Sequence, residues 1–88
     1  MSVNEILAIV RRMITPDQCR AARALLRMSQ DDLAEKTKIS AVTVRKFENQ
    51  TGRLRDSMIH LIRLTLEAEG IEFIDENGGG PGVRLRMA

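Results

Sequence analysis

The sequence is poor in aromatic residues, cysteine and histidine. Two phenylalanines occur without any tryptophan or tyrosine, which argues against a platform that stacks single-stranded bases. Cys19 is the one cysteine and His60 the one histidine, so the chain can form neither an internal disulfide nor a zinc site. We therefore predict no metal, no other cofactor and a reducing, cytoplasmic location.

Long apolar runs and sets of catalytic residues are also missing. No apolar run approaches the roughly 18 residues of a membrane span, and the first thirteen residues place their arginines after the apolar stretch, the reverse of a signal peptide. The glycine run at residues 78–80 predicts a turn rather than a phosphate loop, since neither Lys-Ser/Thr nor a helix follows it. We predict no membrane association and no enzymatic activity, with no catalytic residues.

The charged residues are nearly balanced in number but segregated along the chain. The 88 residues include 14 basic and 12 acidic side chains, and 43% are hydrophobic, which is typical of one small soluble domain. Residues 36–55 have a net charge of +5, and residues 67–76 have a net charge of −5. A local basic zone is typical of a protein that binds a polyanion, although a merely solvated basic surface gives the same pattern.

Hydrophobic periodicity predicts a mainly α fold of about five helices that ends in a β-hairpin. The predicted helices span residues 3–12, 16–27, 29–38, 40–49 and 56–70, and the predicted strands span residues 71–74 and 83–86. Residues 1–14 form a helical extension, residues 15–70 the main domain, and residues 71–88 a hairpin and tail. The predicted inward-facing side chains are Cys19, Ala22, Leu25, Leu26, Leu33, Ala34, Val44, Phe47, Ile59, Ile62 and Leu66.

Capping patterns set the predicted helix starts. Thr15, followed by Pro16 and Gln18, matches a capping box, and Ser29 with Asp32 matches a second one. Ser40 is placed to cap the fourth helix. We expect Asp56 or Ser57 to cap the fifth helix, and Gly70 to end it.

Two short helices joined by about three residues predict a helix-turn-helix. The segments RALLRMSQDDLA at residues 23–34 and ISAVTVRKFEN at residues 39–49 resemble the Cro and phage-repressor (xenobiotic-response-element) family of helix-turn-helix regulators. The resemblance covers roughly residues 16–70. It implies a compact lambda-repressor-like bundle and a bacterial or phage transcriptional regulator of the repressor type. Such a protein binds double-stranded DNA with its recognition helix, here residues 40–49, in the major groove.

The resemblance also implies roles for individual residues. The resemblance assigns base contacts to four positions on the recognition helix, and it assigns DNA-backbone contacts to six positions on that helix and on either side of it. An internal salt bridge joins Arg23 to Glu48. Arg45, Lys46, Arg53 and Arg55 have the alternative interpretation of solvated surface charges, and Gln30 has that of a residue that only begins a helix. The base-readout positions are Ala41, Val42, Arg45 and Lys46, and the backbone positions are Gln30, Lys38, Ser40, Thr43, Arg53 and Arg55.

Two positions depart from the family pattern. Lys38 stands where the family's turn usually has glycine, so we expect a left-handed backbone there at a cost of about 1 kcal/mol. Ala41 and Val42 are apolar where relatives often carry Gln or Arg, and they cannot form bidentate hydrogen bonds to bases. Direct readout would then depend on Lys46 and Arg45, with modest specificity in each half-site.

Because we expect each half-site to be recognised with only modest specificity, we predict that the protein binds an inverted repeat as a homodimer. Three surfaces are candidates for its interface: the N-terminal stripe, a second apolar stripe on the last helix, and the hairpin, which we favour. The alternative function is a protein-interaction module on the same fold, an antitoxin or antiactivator, that binds a protein partner through residues 67–76 or the apolar surfaces. The N-terminal stripe comprises Val3, Ile6, Leu7 and Val10. The second apolar stripe on the last helix comprises Met58, Leu61, Leu64 and Ala68.

Overall fold

Five helices and one two-stranded antiparallel sheet make up the chain. The structure, a computed structural model, describes residues 1–11 and 13–87, and within residues 8–11 it describes the backbone only. The helices are α1 (Val3–Arg11), α2 (Pro16–Leu26), α3 (Gln30–Thr37), α4 (Ala41–Asn49) and α5 (Asp56–Ala68). The strands are β1 (Ile71–Ile74) and β2 (Gly82–Leu85). The predicted fold class is confirmed. Arg12, the predicted end of the first helix, and the side chain of Val10, part of the predicted N-terminal stripe, lie outside the described residues.

Side-chain caps fix the start of three helices. Thr15 and Gln18 form the predicted capping box of α2, with the Gln18 N–H 3.1 Å from Thr15 Oγ1. Ser29 and Asp32 do the same for α3. The predicted cap of α5 is wrong: Arg55 occupies the cap position without a side-chain bond. Asp56 is already helical, and its carboxylate faces the positive end of the helix dipole instead.

One hydrophobic core is shared by α2, α3, α4, α5 and β1. The predicted core positions on α3 and α4 are buried, as are Ile62 and Leu66 of α5. Leu25 was predicted to face inward, but 43% of it is exposed. The buried face of α2 runs through Gln18, Cys19 and Ala22, which leaves Leu25 on the flank of the helix.

The hairpin is part of this core. Ile71 and Phe73 of β1 are buried, and they pair with Leu85 and Val83 of β2. The second strand begins one residue earlier than predicted, because Gly82 pairs with Ile74. Gln18 stabilises this end, since its Nε2 donates to the carbonyl oxygens of Gly82 at 2.9 Å and Ile74 at 3.2 Å.

Three helices end at a non-glycine residue in the left-handed conformation. Lys38 has φ 63° and ends α3, as predicted, and Arg27 and Gln50 end α2 and α4 in the same way. The N–H groups of Gln50 and Thr51 donate to the carbonyls of Phe47 and Lys46, the bonding pattern of a Schellman motif. The N–H groups of Arg27 and Met28 donate to Ala24 and Arg23 in the same pattern, and these hydrogen bonds offset the strain at Arg27 and Gln50.

Lys38→Gly is expected to raise the free energy of unfolding by about 1 kcal/mol, because glycine adopts a positive φ without a Cβ penalty. Urea denaturation measures the change. Lys38→Ala removes the same charge but keeps Cβ, so it should bring no such gain. Equal stability of the two variants would contradict the assignment of strain to Lys38.

Candidate nucleic-acid interface

One face of α4 is packed into the core and the opposite face is bare. Val44, Phe47 and Glu48 are buried. Val42 and Lys46 are exposed on the other side, at a spacing of four residues that places them on one helix face. The helix therefore presents an uncovered ridge along its outer side.

Asn49 lies three residues after Lys46 and continues this ridge. It was not identified from the sequence as a DNA-contact residue. It is exposed and lies at the C-terminal end of α4. The spacing from Lys46 places it on the outer face, a signal that the sequence contained. An asparagine amide can form a bidentate pair with adenine, so Asn49 joins the candidate base-contacting residues.

The first turn of α4 has its polar groups engaged. Ser40 Oγ accepts from the Thr43 N–H at 3.1 Å and lies 2.7 Å from Thr43 Oγ1. Thr43 is half-buried, and Ala41 packs against the edge of the core. Val42 remains the outward side chain of this turn, with 54% of its surface exposed.

The two cationic candidates on α4 have different surroundings. Arg45 Nη1 lies 3.5 Å from Asp31 Oδ1 on α3, in an exposed ion pair that is weak in water and easily exchanged. The stem of Lys46 lies against the loop after α4: a Cβ added at Gly52 would be 3.2 Å from Lys46 Cβ. This contact brings the loop that carries Arg53 next to the bare ridge.

Four of the predicted contact residues are exposed cations that form no ion pair with any residue in ranges 1–11 and 13–87. They lie in the turn before α4, on α4 and in the loop after it. They are Lys38, Lys46, Arg53 and Arg55. Unpaired cations beside a bare helix face create a local positive potential that attracts a polyanion.

Glu48 ties α4 to the two preceding helices. Arg23 of α2 donates to both of its carboxylate oxygens, at 2.5 and 2.7 Å, and thus forms the ion pair that the family resemblance implies. Gln30 Nε2 donates to Oε1 at 3.0 Å, and Cys19 Sγ lies 3.1 Å from Oε2. Arg20 donates to the backbone oxygen of Glu48. The buried carboxylate therefore holds α4 in its orientation relative to α2 and α3.

These contacts set the protonation of the cluster. Burial alone would raise the pKa of Glu48, but the hydrogen bonds from Arg23, Cys19 and Gln30, together with the Arg23 charge, hold the pKa below its usual value. Burial and the Glu48 carboxylate raise the pKa of the Cys19 thiol. The cluster therefore contains a charged carboxylate beside a neutral, unreactive thiol at neutral pH.

Gln30 has a structural partner at the position where the resemblance implies a phosphate contact. Its amide nitrogen points to Glu48, and the residue is half-buried. A phosphate contact through this nitrogen would compete with that bond, whereas a contact through the N-terminus of α3 would not.

The acidic stretch at residues 67–76 is largely neutralised within the chain. Glu69 pairs with Lys36, Glu72 with Arg84, and Glu67 and Asp75 with Arg63. Glu76 accepts from the N–H groups of Gly78 and Gly80. The stretch therefore offers little free negative charge to a partner.

The described part of the chain contains neither a membrane-spanning helix nor a metal-ligand cluster. No helix within it is both long enough and apolar enough to cross a bilayer. Its His, Cys, Asp and Glu side chains form no group of three that could hold a metal ion.

A family model described as "Helix-turn-helix" matches residues 20–67, a range that runs from α2 into α5 and contains the bare ridge. No curated protein matches the chain.

Proposed function

The chain belongs to the helix-turn-helix family of DNA-binding regulators, and from this premise we propose that it binds double-stranded DNA sequence-specifically, as a homodimer on an inverted repeat. The match confirms the resemblance to Cro-type and phage-repressor regulators. The family is typically non-enzymatic. Our proposal includes a bacterial or phage origin, a cytoplasmic location and a role in transcriptional regulation.

The observation that carries the proposal is the bare ridge of α4 with unpaired cations beside it. A helix held by one buried face can enter a major groove about 12 Å wide. Val42, Lys46 and Asn49 would then face base edges, and Arg45 would join them by leaving Asp31. Lys38, Ser40, Thr43, Arg53 and Arg55 would lie along the phosphates, with Gln30 at the N-terminus of α3.

The neutralised acidic stretch favours this function over a protein-interaction module. Four of its five carboxylates are in ion pairs and the fifth accepts backbone hydrogen bonds. Exposed ion pairs exchange easily, but Lys36, Arg63 and Arg84 lie among these carboxylates and would repel the cations of a partner, so this surface is not uniformly acidic. Four of the predicted DNA-contact residues around α4, in contrast, are cations without an ion pair among the described residues.

The hairpin supports the dimer. The Arg86 N–H donates to the Gly70 oxygen at 2.8 Å, so the alternation of an antiparallel ladder directs the N–H and C=O groups of Val83 and Leu85 away from β1. Leu85 lies opposite buried Ile71, on the same face of the ribbon, yet it is half exposed. Antiparallel pairing of β2 with its copy would satisfy this edge and cover Leu85.

Substitutions at Lys46 and Arg53 test the DNA interface. Lys46→Ala is expected to weaken binding to a selected duplex more than to random DNA, because Lys46 faces base edges. Arg53→Ala should weaken both alike and reduce the slope of log affinity against log salt by about one. Fluorescence anisotropy at several salt concentrations measures both effects.

Lys36→Ala is the matched control. Lys36 is exposed and lies in the same basic segment, but it pairs with Glu69, so its removal should leave the salt slope unchanged. Affinity independent of salt in the unmodified protein would overturn the proposed DNA binding. An equal loss on both duplexes for Lys46→Ala would make Lys46 a phosphate contact.

A further inference from the structure

The part of α4 that would enter the groove first has an apolar surface. Val42 is 54% exposed, whereas Ala41 and Thr43 beside it are half-buried. The hydroxyls of Ser40 and Thr43 are 2.7 Å apart, and Ser40 also accepts from the Thr43 N–H. The isopropyl group of Val42 is therefore the side-chain group that this turn presents to a base edge.

The major groove contains one apolar group, the C5-methyl group of thymine. A valine cannot form a hydrogen bond to a base. Burial of its exposed surface against an apolar group is favourable, whereas burial against a polar base edge leaves that edge without its hydrogen bonds to water. Resting on the proposed function, we propose that Val42 selects thymine at one position in each half-site by packing against this methyl group.

The neighbouring cations, Lys46 and Arg45, do not cover the start of α4, so the contact with a base there is made by Val42. Lys46 lies one turn further along the ridge, with its stem held against Gly52. Arg45 is on the flank beside Asp31. Both can read guanine or contact phosphates, but neither covers the surface at the start of α4. Selectivity at that point depends on the presence of a methyl group rather than on a hydrogen-bond pattern.

Uracil provides the test, because it differs from thymine only by the missing methyl group. The probe is a duplex recovered from a random-sequence library by binding to the full chain, resynthesised with each thymine replaced in turn by uracil. One position in each half-site should weaken binding by about four-fold, the effect of burying one methyl group. The other positions should remain within error of the original duplex.

Val42→Ala ties the effect to this residue. The variant should bind the thymine duplex about as weakly as the unmodified protein binds a duplex with uracil at the responsive position of both half-sites, and it should no longer distinguish the two duplexes. Leu25→Ala, a change at an exposed apolar residue of α2 outside the ridge, should leave the distinction intact. At the responsive position, 5-methylcytosine should bind more tightly than cytosine, because it has the same methyl group at the same ring position.

The outcomes separate this inference from the proposed function. Binding with equal affinity to the thymine and uracil duplexes would overturn the role of Val42 while leaving DNA binding established. Discrimination that persists in Val42→Ala would assign the methyl contact to another residue and would also overturn it. If the library yields no bound duplex at any salt concentration, the proposed function fails and this inference fails with it.

Discussion

Replacing Glu48 by alanine is expected to lower the free energy of unfolding by about 3–5 kcal/mol, because it leaves a partly buried charge without its partner. Glu48 is fully buried, and Arg23 beside it is 16% exposed. Removal of the carboxylate would also leave Gln30 and Cys19 without their acceptor. A loss of this size is a large fraction of the stability of a small domain, so we expect Glu48→Ala to be partly unfolded at 37 °C.

Glu72→Ala is the matched control for this prediction. Glu72 also accepts two hydrogen bonds from one arginine, Arg84, at 2.9 Å each, but both side chains are exposed to solvent. Surface pairs contribute little, so its loss should be much smaller. Thermal and urea unfolding measure both variants, and similar losses would show that burial of the Glu48 pair adds nothing.

The same cluster predicts sensitivity to acid. The pKa of Glu48 is lower in the folded chain than its usual value of 4.5, so its contribution to stability is present above about pH 4.5 and is lost as the pH falls through the folded pKa. Glu48→Gln cannot titrate. The stability difference between the unmodified chain and Glu48→Gln should therefore be constant above pH 5 and shrink below it, as urea denaturation across this range would measure.

Features that depend on neighbours in the sequence could be predicted. Thr15 with Gln18, Ser29 with Asp32, and the cap at Ser40 each involve residues three apart, so the local chain determines them. The left-handed Lys38 was predicted from the family resemblance, because the family's turn usually has glycine at this position. Spacing also identified the buried face of α4, because three to four residues per turn is an intrinsic property of a helix.

Features that depend on tertiary contacts could not be predicted. Gln18 matches a capping box, but nothing local shows that its amide nitrogen reaches Gly82, 64 residues later. Likewise, the bond from Gln30 to Glu48 and the ion pair between Arg45 and Asp31 exist only once α3 and α4 are packed. Leu25 was misassigned because periodicity gives the angle of a buried stripe but not its width.

Placing a carboxylate at Leu85 is expected to break the proposed dimer and to lower affinity for an inverted repeat by about 10²–10⁴-fold, because each half-site then binds without the effective concentration of its twin. Leu85 is half exposed and lies next to the free edge of β2. In Leu85→Glu, the paired β2 strands of two copies would bring two carboxylates close together across the twofold axis. Like charges on paired strands repel and destabilise the pairing of the strands.

The other exposed apolar surfaces provide matched variants. Leu7 on α1 and Leu64 on α5 are exposed to a similar extent, 43% and 49%, against 49% for Leu85. If the hairpin alone forms the interface, Leu7→Glu and Leu64→Glu should sediment as dimers. A weakened dimer in Leu7→Glu would add α1 to the interface. A monomer in Leu64→Glu with an intact dimer in Leu85→Glu would move the interface to α5.

A point substitution is needed here because the hairpin cannot be removed cleanly. Ile71 and Phe73 are buried in the core, so truncation after α5 would unfold the domain and abolish dimer and DNA binding together. Leu85→Glu changes a side chain at the edge of that core and should keep the native circular dichroism spectrum. Because α4 is untouched, its monomer should still bind a single half-site, with a salt slope about half that of the dimer. A folded monomer that retained full affinity for the inverted repeat would show that the two recognition helices act independently.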